Sequence, residues 1–310
     1  MRIGIDLGGT KTEILVLADD DSVFLRKRIA TAQGDYRATI QALTSLVKQA
    51  ETRAGRRCTV GVCIPGTVSV DTGLVKNANS VWLNGQPLAR DLQTALGRDL
   101  RIANDANCFA LSEAIDGAAR GYSTVFGVIL GTGVGGGLVI KRKVLIGANA
   151  IAGEWGHNPL PAPADDERPG PECYCGRRGC IETWLSGPAL ARQAGRSDAD
   201  ARAVLLQALA GETAATQALR RYCERLARAL ASVINLFDPQ AIVLGGGLSN
   251  LNLLYDEVPR LWARHVFSDQ IHTRLLRNRH GDSSGVFGAA RLWARGEDRK
   301  STRLNSSHSS

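Results

Sequence analysis

Aromatic residues make up only 5% of this 310-residue chain, and no run of basic residues is interleaved with them. Such a chain lacks the stacking platforms that single-stranded nucleic acid requires. The formal net charge of +8 comes from arginines dispersed among Glu and Asp in helical stretches. That excess reads as solvated surface, and no nucleic-acid partner is expected. No apolar run approaches the ~20 residues of a membrane-spanning helix, so no membrane partner is expected either. A strand, Arg2-Ile3-Gly4-Ile5-Asp6, begins at once with no signal peptide before it. Together with free cysteines, this predicts a cytoplasmic protein. The pattern Gly-x-x-x-x-Gly-Lys-Ser/Thr is absent, which excludes a Walker-type phosphate loop. Cys-x-x-Cys pairs are absent too, and seven cysteines, an odd number, do not suggest an oxidised framework.

What the chain does hold is a four-ligand metal set. His157 is followed after fifteen residues by Cys173, Cys175 and Cys180. One imidazole and three thiolates suit tetrahedral zinc, and a full set leaves no position for a catalytic water, so the zinc is expected to be structural. The competing reading is three unrelated core cysteines or a disulfide, but Cys-x-Cys is too tight for an easy bridge. Cys58, Cys63, Cys108 and Cys223 sit in apolar stretches and read as small buried hydrophobes. Glu154 lies three residues before the histidine, and Glu182 two after the last cysteine. Two carboxylates held by a zinc knot suit a pocket for a polyhydroxylated ligand.

Length and patterning predict two domains. Ile3 to Leu7 and Thr12 to Leu17 read as strands around the turn Gly8-Gly9, with Val23 to Ile29 as a third. Apolar residues from Tyr36 to Val47 recur at helical spacing, Thr59 to Ile64 is a buried strand, and Asn107 to Gly117 reads as helix. The pattern then restarts. Thr124 to Leu130 and Leu138 to Ile140 flank Gly131 to Gly137, a long helix covers Ala214 to Leu236, and Ala241 to Leu244 ends in Gly245-Gly246-Gly247. Two halves that each open on a glycine-turn hairpin predict a duplicated α/β unit facing a cleft. The expected limits are 1–118 and 119–285, with a last helix in 286–298 returning to the first half. Residues 299–310 read as an appended, disordered tail.

Glycines in the turn Asp6-Leu7-Gly8-Gly9-Thr10-Lys11 let the backbone approach phosphate oxygens, with Thr10 and Lys11 as further donors. Asp6 is placed to hold magnesium through water. Gly131 to Gly137 repeats the design, and Gly246 ends a buried strand where a nucleotide can pass. These glycines join strand to strand, which does not fit a dinucleotide fold. Asn104-Asp105 follows a strand and opens a helix, so it reads either as a helix cap or as a general base, and both can hold together.

These residues resemble the ROK family of bacterial sugar kinases, repressors and relatives. The likeness runs from Gly4-Ile5-Asp6-Leu7-Gly8-Gly9-Thr10-Lys11 through Cys-x-Cys-Gly-x-x-Gly-Cys-x-Glu to Gly285-Val286-Phe287-Gly288-Ala289-Ala290. Within the family the stretches Lys76 to Pro87, Ala103 to Cys108 and Gly281 to Val286 are most similar to bacterial fructokinases of the manno(fructo)kinase type. The resemblance implies an actin-like (ribonuclease H-like) ATPase fold with a structural zinc, and a homodimer. It also implies ATP- and magnesium-dependent phosphorylation of fructose at the 6-hydroxyl. Another hexose (N-acetylglucosamine, mannose or glucose) is the alternative, and a relative of the sugar-sensing repressors that does not bind DNA is a further one. Asp105 matches the catalytic base. Asn104, Glu154, His157 and Glu182 match sugar-binding residues, with Asn79 and Gly66 lining the same pocket, and His157 would touch the sugar with the ring edge not on zinc. Gly4 to Lys11 and Gly131-Thr132-Gly133-Val134-Gly135-Gly136-Gly137-Leu138 match the ATP phosphate loops. The loop from Pro161 to Glu172 matches no pattern.

Overall fold

A computed structural model describes residues 1–198 and 200–297. The segment 299–310, expected to be an appended tail, lies outside the described residues. The chain begins with β1 (Arg2–Leu7), β2 (Lys11–Leu17), β3 (Val23–Ala30), α1 (Tyr36–Ala54) and β4 (Thr59–Ile64). A small ribbon, β5 (Thr67–Val68) and β6 (Val75–Lys76), leads to α2 (Leu88–Leu96), β7 (Arg101–Asn104) and α3 (Asp105–Ile115). Next come β8 (Thr124–Leu130), β9 (Val134–Ile140) and β10 (Lys143–Val144). Four helices follow: α4 (Ile181–Leu185), α5 (Gly187–Gln193), α6 (Ala201–Leu209) and α7 (Thr213–Phe237). Last are β11 (Ala241–Gly245), α8 (Leu253–Trp262), β12 (Arg274–Arg277) and α9 (Ser284–Arg291).

Two compact units result. One comprises Met1–Ser112, Ile146–Ala152 and 282–297; the other comprises Glu113–Leu145 and Gly153–Gly281. In the first unit the sheet order is β3-β2-β1-β4-β7, with an antiparallel meander on one side of β1 and parallel strands on the other. The second unit repeats it as β10-β9-β8-β11-β12, with the same change from antiparallel to parallel at β8. The central parallel strands are apolar along nearly their whole length, as strands covered on both faces must be. α9 packs within the first unit, where Val286 and Ala290 bury against Leu15 and Leu17.

Local chemistry sets the element ends. Asp35 caps α1 by accepting from the Ala38 amide at 2.9 Å, and Gly55 closes it in the left-handed region. The helix expected from Asn107 begins two residues earlier, because Asn104 Oδ1 accepts from the Asn107 amide at 2.8 Å. β9 starts at Val134, since Gly136 and Gly137 pair with Val128 and Gly127 and remain in the strand. α8 contains Pro259, a residue that ordinarily ends a helix. Burial of Leu254, Val258 and Trp262 along one stripe outweighs it. Among the described residues no helix is long and apolar enough to cross a membrane.

Candidate functional site

In the first unit the parallel strands β1, β4 and β7 end on one edge, the edge where open α/β sheets bind ligands. Asp6 lies in register with Cys63, and Cys63 with Ala103, so Asp105 follows directly on the same edge. Gly4, Ile5 and Leu7 are buried within β1, and the open part of that segment is Gly8 to Lys11. The Gly8 amide donates to the Lys11 carbonyl at 3.1 Å and closes the turn. Thr31 holds it from the side: its amide donates to the Thr10 carbonyl at 3.0 Å and its hydroxyl to the Gly8 carbonyl at 2.8 Å. Nothing in the sequence marks Thr31; only the pairing of β2 with β3 brings it there.

Gly66 has φ +94°, and a side chain there would meet the Lys76 carbonyl at 2.6 Å. The turn after β4 therefore lies flat against the strand that leads to Asn79. Asn84 latches this loop, accepting from the Ala78 amide and donating to the Ala78 carbonyl, both at 2.9 Å. Gly9 faces the same loop, its missing Cβ 3.6 Å from Ser80 Oγ. Gly66, Asn79, Asn104, Asp105 and the first glycine turn thus share one unit. Asn104 is the cap, and Asp105 Oδ1 accepts from the Ala106 amide at 2.8 Å. Asp105 is reachable by solvent, and the surrounding protein raises its carboxyl above the usual range. Burial pushes Asp6 up to about 6, the Cys63 thiol opposes that by hydrogen bonding, and the charges of Asp105 and Glu13 reinforce it.

The second unit gathers the remaining residues. Its glycine turn is closed by the Gly131 amide on the Gly133 carbonyl at 3.0 Å. Gly246, at φ +78°, brings its backbone against the Leu130 carbonyl with no room for a Cβ. Thr132 is exposed, whereas Val134, Gly136 and Gly137 are buried in β9, with Gly135 and Leu138 half-buried. The turn also joins the cysteine segment. Glu182 Oε2 accepts from the Val134 amide at 2.9 Å, and the Gly187 amide donates to the Gly131 carbonyl at 2.7 Å. One oxygen of Glu182, expected at the sugar, is therefore held by the glycine turn.

His157, Cys173, Cys175 and Cys180 each present a ligand atom, all within 4.8 Å of one another. Cys173 Sγ lies 3.5 Å from His157 Nδ1, and Cys175 Sγ 3.6 Å from Cys180 Sγ. Arg177, through its backbone and side chain, lowers Cys175 to about 6, while burial and neighbouring thiols push Cys180 up to about 12. Crowded thiols that ionise unequally are the chemistry of a cation-binding set. The other nitrogen of His157, Nε2, is 2.9 Å from the Tyr174 hydroxyl. The ring edge expected to face a sugar is thus occupied by a tyrosine. Glu154 is exposed at the start of the turn Trp155–His157.

The sequence profile of the ROK family matches residues 2–296. An N-acetyl-D-glucosamine kinase of Yersinia pseudotuberculosis is 40% identical over 94% of this chain and 98% of its own length. Another from Vibrio cholerae is 39% identical over 94% of this chain and 99% of its own. Among solved structures, a ROK hexokinase from Thermus thermophilus superposes with TM-score 0.82 at 31% identity, over 94% of this chain and 97% of that one. A ROK glucokinase from Streptomyces griseus, in complex with glucose and AMPPNP, gives TM-score 0.73 at 28% identity, over 94% and 98%. The expected α/β fold of ROK sugar kinases is therefore present. The expected fructokinase, with fructose as its sugar, is not supported: the relatives at 39–40% identity are N-acetyl-D-glucosamine kinases. The stretches read as fructokinase-like form the cap of α3, the Asn84-latched loop and the start of α9.

Proposed function

Because this chain belongs to the ROK family, we propose that it is an ATP-dependent kinase that phosphorylates N-acetyl-D-glucosamine at its 6-hydroxyl. One observation carries the kinase reading: Asp105 stands on the same sheet edge as Asp6 and the Gly8-to-Lys11 turn, within electrostatic reach of Asp6. The identity to N-acetyl-D-glucosamine kinases supports the choice of sugar.

The chemistry follows from the groups in place. Asp105 accepts the proton of the sugar hydroxyl as that oxygen forms its bond to the γ-phosphorus, and the bond to the ADP oxygen breaks in line. Burial raises the Asp105 carboxyl above its usual range, which makes its carboxylate a stronger base than a free aspartate. In the two turns, Gly9 and Thr10 and likewise Thr132 and Gly133 are the residues proposed to offer backbone amides to phosphate oxygens, the Gly8 and Gly131 amides being used to close the turns. Asp6, crowded by Asp105 and Glu13, would hold a divalent cation, and magnesium held there would supply positive charge against the phosphates. Glu154, Glu182 and Asn79 are the proposed hydroxyl ligands.

The donor set fits zinc. Tetrahedral bonds of about 2.3 Å to sulfur and about 2.0 Å to nitrogen space the ligand atoms about 3.5–3.8 Å apart. Cys173 Sγ and His157 Nδ1 lie 3.5 Å apart and Cys175 Sγ and Cys180 Sγ 3.6 Å, with all four ligand atoms within 4.8 Å of one another. His157, Cys173, Cys175 and Cys180 would fill all four positions of such an ion, which would then be structural and would stiffen the segment that carries Glu154 and Glu182.

ADP release measured across N-acetylglucosamine, glucose and mannose tests this reading. N-acetylglucosamine should give the highest kcat/KM, by at least about tenfold. Asp105→Asn should reduce turnover by about 10²-fold or more while calorimetry still detects sugar binding. Near-normal turnover in that variant would falsify the assignment of the base. A preference for glucose would favour the hexokinase-like reading that the Thermus structure supports.

A further inference from the structure

Tyr174 lies between two of the metal-set cysteines, and no role falls to it in the scheme above. Its backbone is fixed: the Cys173 amide donates to the Arg177 carbonyl at 2.8 Å and the Gly176 amide to the Cys173 carbonyl at 3.0 Å. Its side chain is 80% exposed, in a chain where aromatics are scarce. Only its outer end is engaged, the hydroxyl 2.9 Å from His157 Nε2 and the ring edge-on to the imidazole at 5.1 Å and 87°.

The chemistry of His157 assigns the direction of that bond. Nδ1 faces the thiols, with Cys173 Sγ at 3.5 Å. An imidazole that ligates a metal through one nitrogen is neutral and carries its proton on the other. Nε2 is therefore the donor and the tyrosine oxygen the acceptor. A sugar hydroxyl is an acceptor of the same kind, so both can satisfy this one N–H, but not at once.

We infer that Tyr174 is a specificity-determining residue of the sugar pocket, whose hydroxyl stands in for a substrate hydroxyl on His157 and is displaced when the sugar binds. The inference rests on the sugar-kinase reading. Displacement is inexpensive, because an exposed tyrosine on a fixed backbone reaches another rotamer on a nanosecond scale and its released hydroxyl is satisfied by water. The stand-in keeps the N–H partnered while the pocket is empty, and a ligand lacking a hydroxyl at that position has nothing with which to replace it.

Tyr174→Phe keeps the ring and removes the competing acceptor. Titration calorimetry of the metal-loaded protein with N-acetylglucosamine, without nucleotide, should show the variant binding about fivefold more tightly than wild type, the worth of one neutral hydrogen bond. Affinity for AMPPNP measured alone serves as the reference, and metal content by elemental analysis confirms that the cysteine set is intact. Unchanged or weaker sugar affinity in a variant with full metal content overturns the proposal and leaves the kinase reading standing. Failure of the wild-type protein to bind or phosphorylate any sugar instead removes the reading on which the proposal rests.

Discussion

Asp6 and Cys63 sit side by side on neighbouring parallel strands, and burial of Asp6, opposed by that contact, sets the acidity of the first sheet edge. The thiol donates to the carboxylate, yet burial and two acidic neighbours still hold the carboxyl at about 6. Two consequences differ in sign. If ionised Asp6 is needed, kcat/KM for MgATP, which reports the free enzyme, should fall about tenfold for each pH unit below about 6. Stability responds the other way. With a folded value of about 6, above the ordinary aspartate value of 3.8, this group stabilises the folded state at low pH and loses that contribution as pH rises through that window. Activity should therefore decline on acidification before the circular dichroism signal does. A pH–rate profile flat to pH 5, or one that tracks unfolding, would count against a role for Asp6. The Cys63 thiol was read from the sequence as a small hydrophobe, because only strand register reveals which polar group it meets. Asn104-Asp105 left cap and base both open. Hydrogen bonding gives the cap to Asn104, which a one-dimensional spacing does not separate from its neighbour.

Elements whose residues obey one period were legible; those stitched together across sequence were not. The glycine hairpins, α1, α7 and the buried strands follow from spacing alone. The loop from Pro161 to Glu172 gave no pattern, and its organiser is a single buried carboxylate. Glu167, 6% exposed, accepts from Arg225 Nε at 2.7 Å and from Arg228 Nη2 at 2.8 Å. Its Oε2 also accepts from the Ala164 amide at 2.8 Å, while Arg228 reaches the Pro161 carbonyl at 3.1 Å and Arg225 lies over Trp184 at 4.3 Å. Burial alone would raise Glu167, but the two guanidinium groups outweigh it and hold the carboxyl below its usual range. Arginines three apart on an amphipathic helix read as solvated, and their partner is 58 and 61 residues distant, so no local rule links them. Glu167→Gln keeps the shape but leaves two buried cations without a counter-charge. It should cost about 3–5 kcal/mol in chemical denaturation and weaken metal retention at Cys173, six residues on. A loss under about 1 kcal/mol would mean that the loop is held by something else.

Each unit has its own sheet, its own core and its own half of the proposed chemistry, and the duplicated strand order is the whole-molecule counterpart of the repeated glycine hairpin. The repeat was legible because both hairpins turn on runs of glycine. The choice of sugar was not, since one methyl or hydroxyl difference in a pocket changes selectivity only modestly. The metal set belongs wholly to the second unit, and the chain around it is pinned without the ion. The Leu160 amide donates to the Gly179 carbonyl at 2.9 Å, and the Ile181 amide to the Asn158 carbonyl at 2.8 Å. Removing the proposed zinc should therefore loosen one unit and not dissolve the fold. A ligand present at about 1,000 times its Kd stabilises by about 4 kcal/mol, which for a unit of this size corresponds to a Tm lower by about 10 °C on chelation. Amide hydrogen exchange should show protection falling between residues 154 and 187, where the ligands and α4 lie, while β1 and β4 exchange as before. Zinc should restore the protected state, with Cys175→Ser remaining unprotected at any zinc concentration that restores wild type. Protection lost equally from both sheets would instead make the ion a support of the entire chain, and a chelated protein that melts unchanged would leave the four donors without a metal to hold.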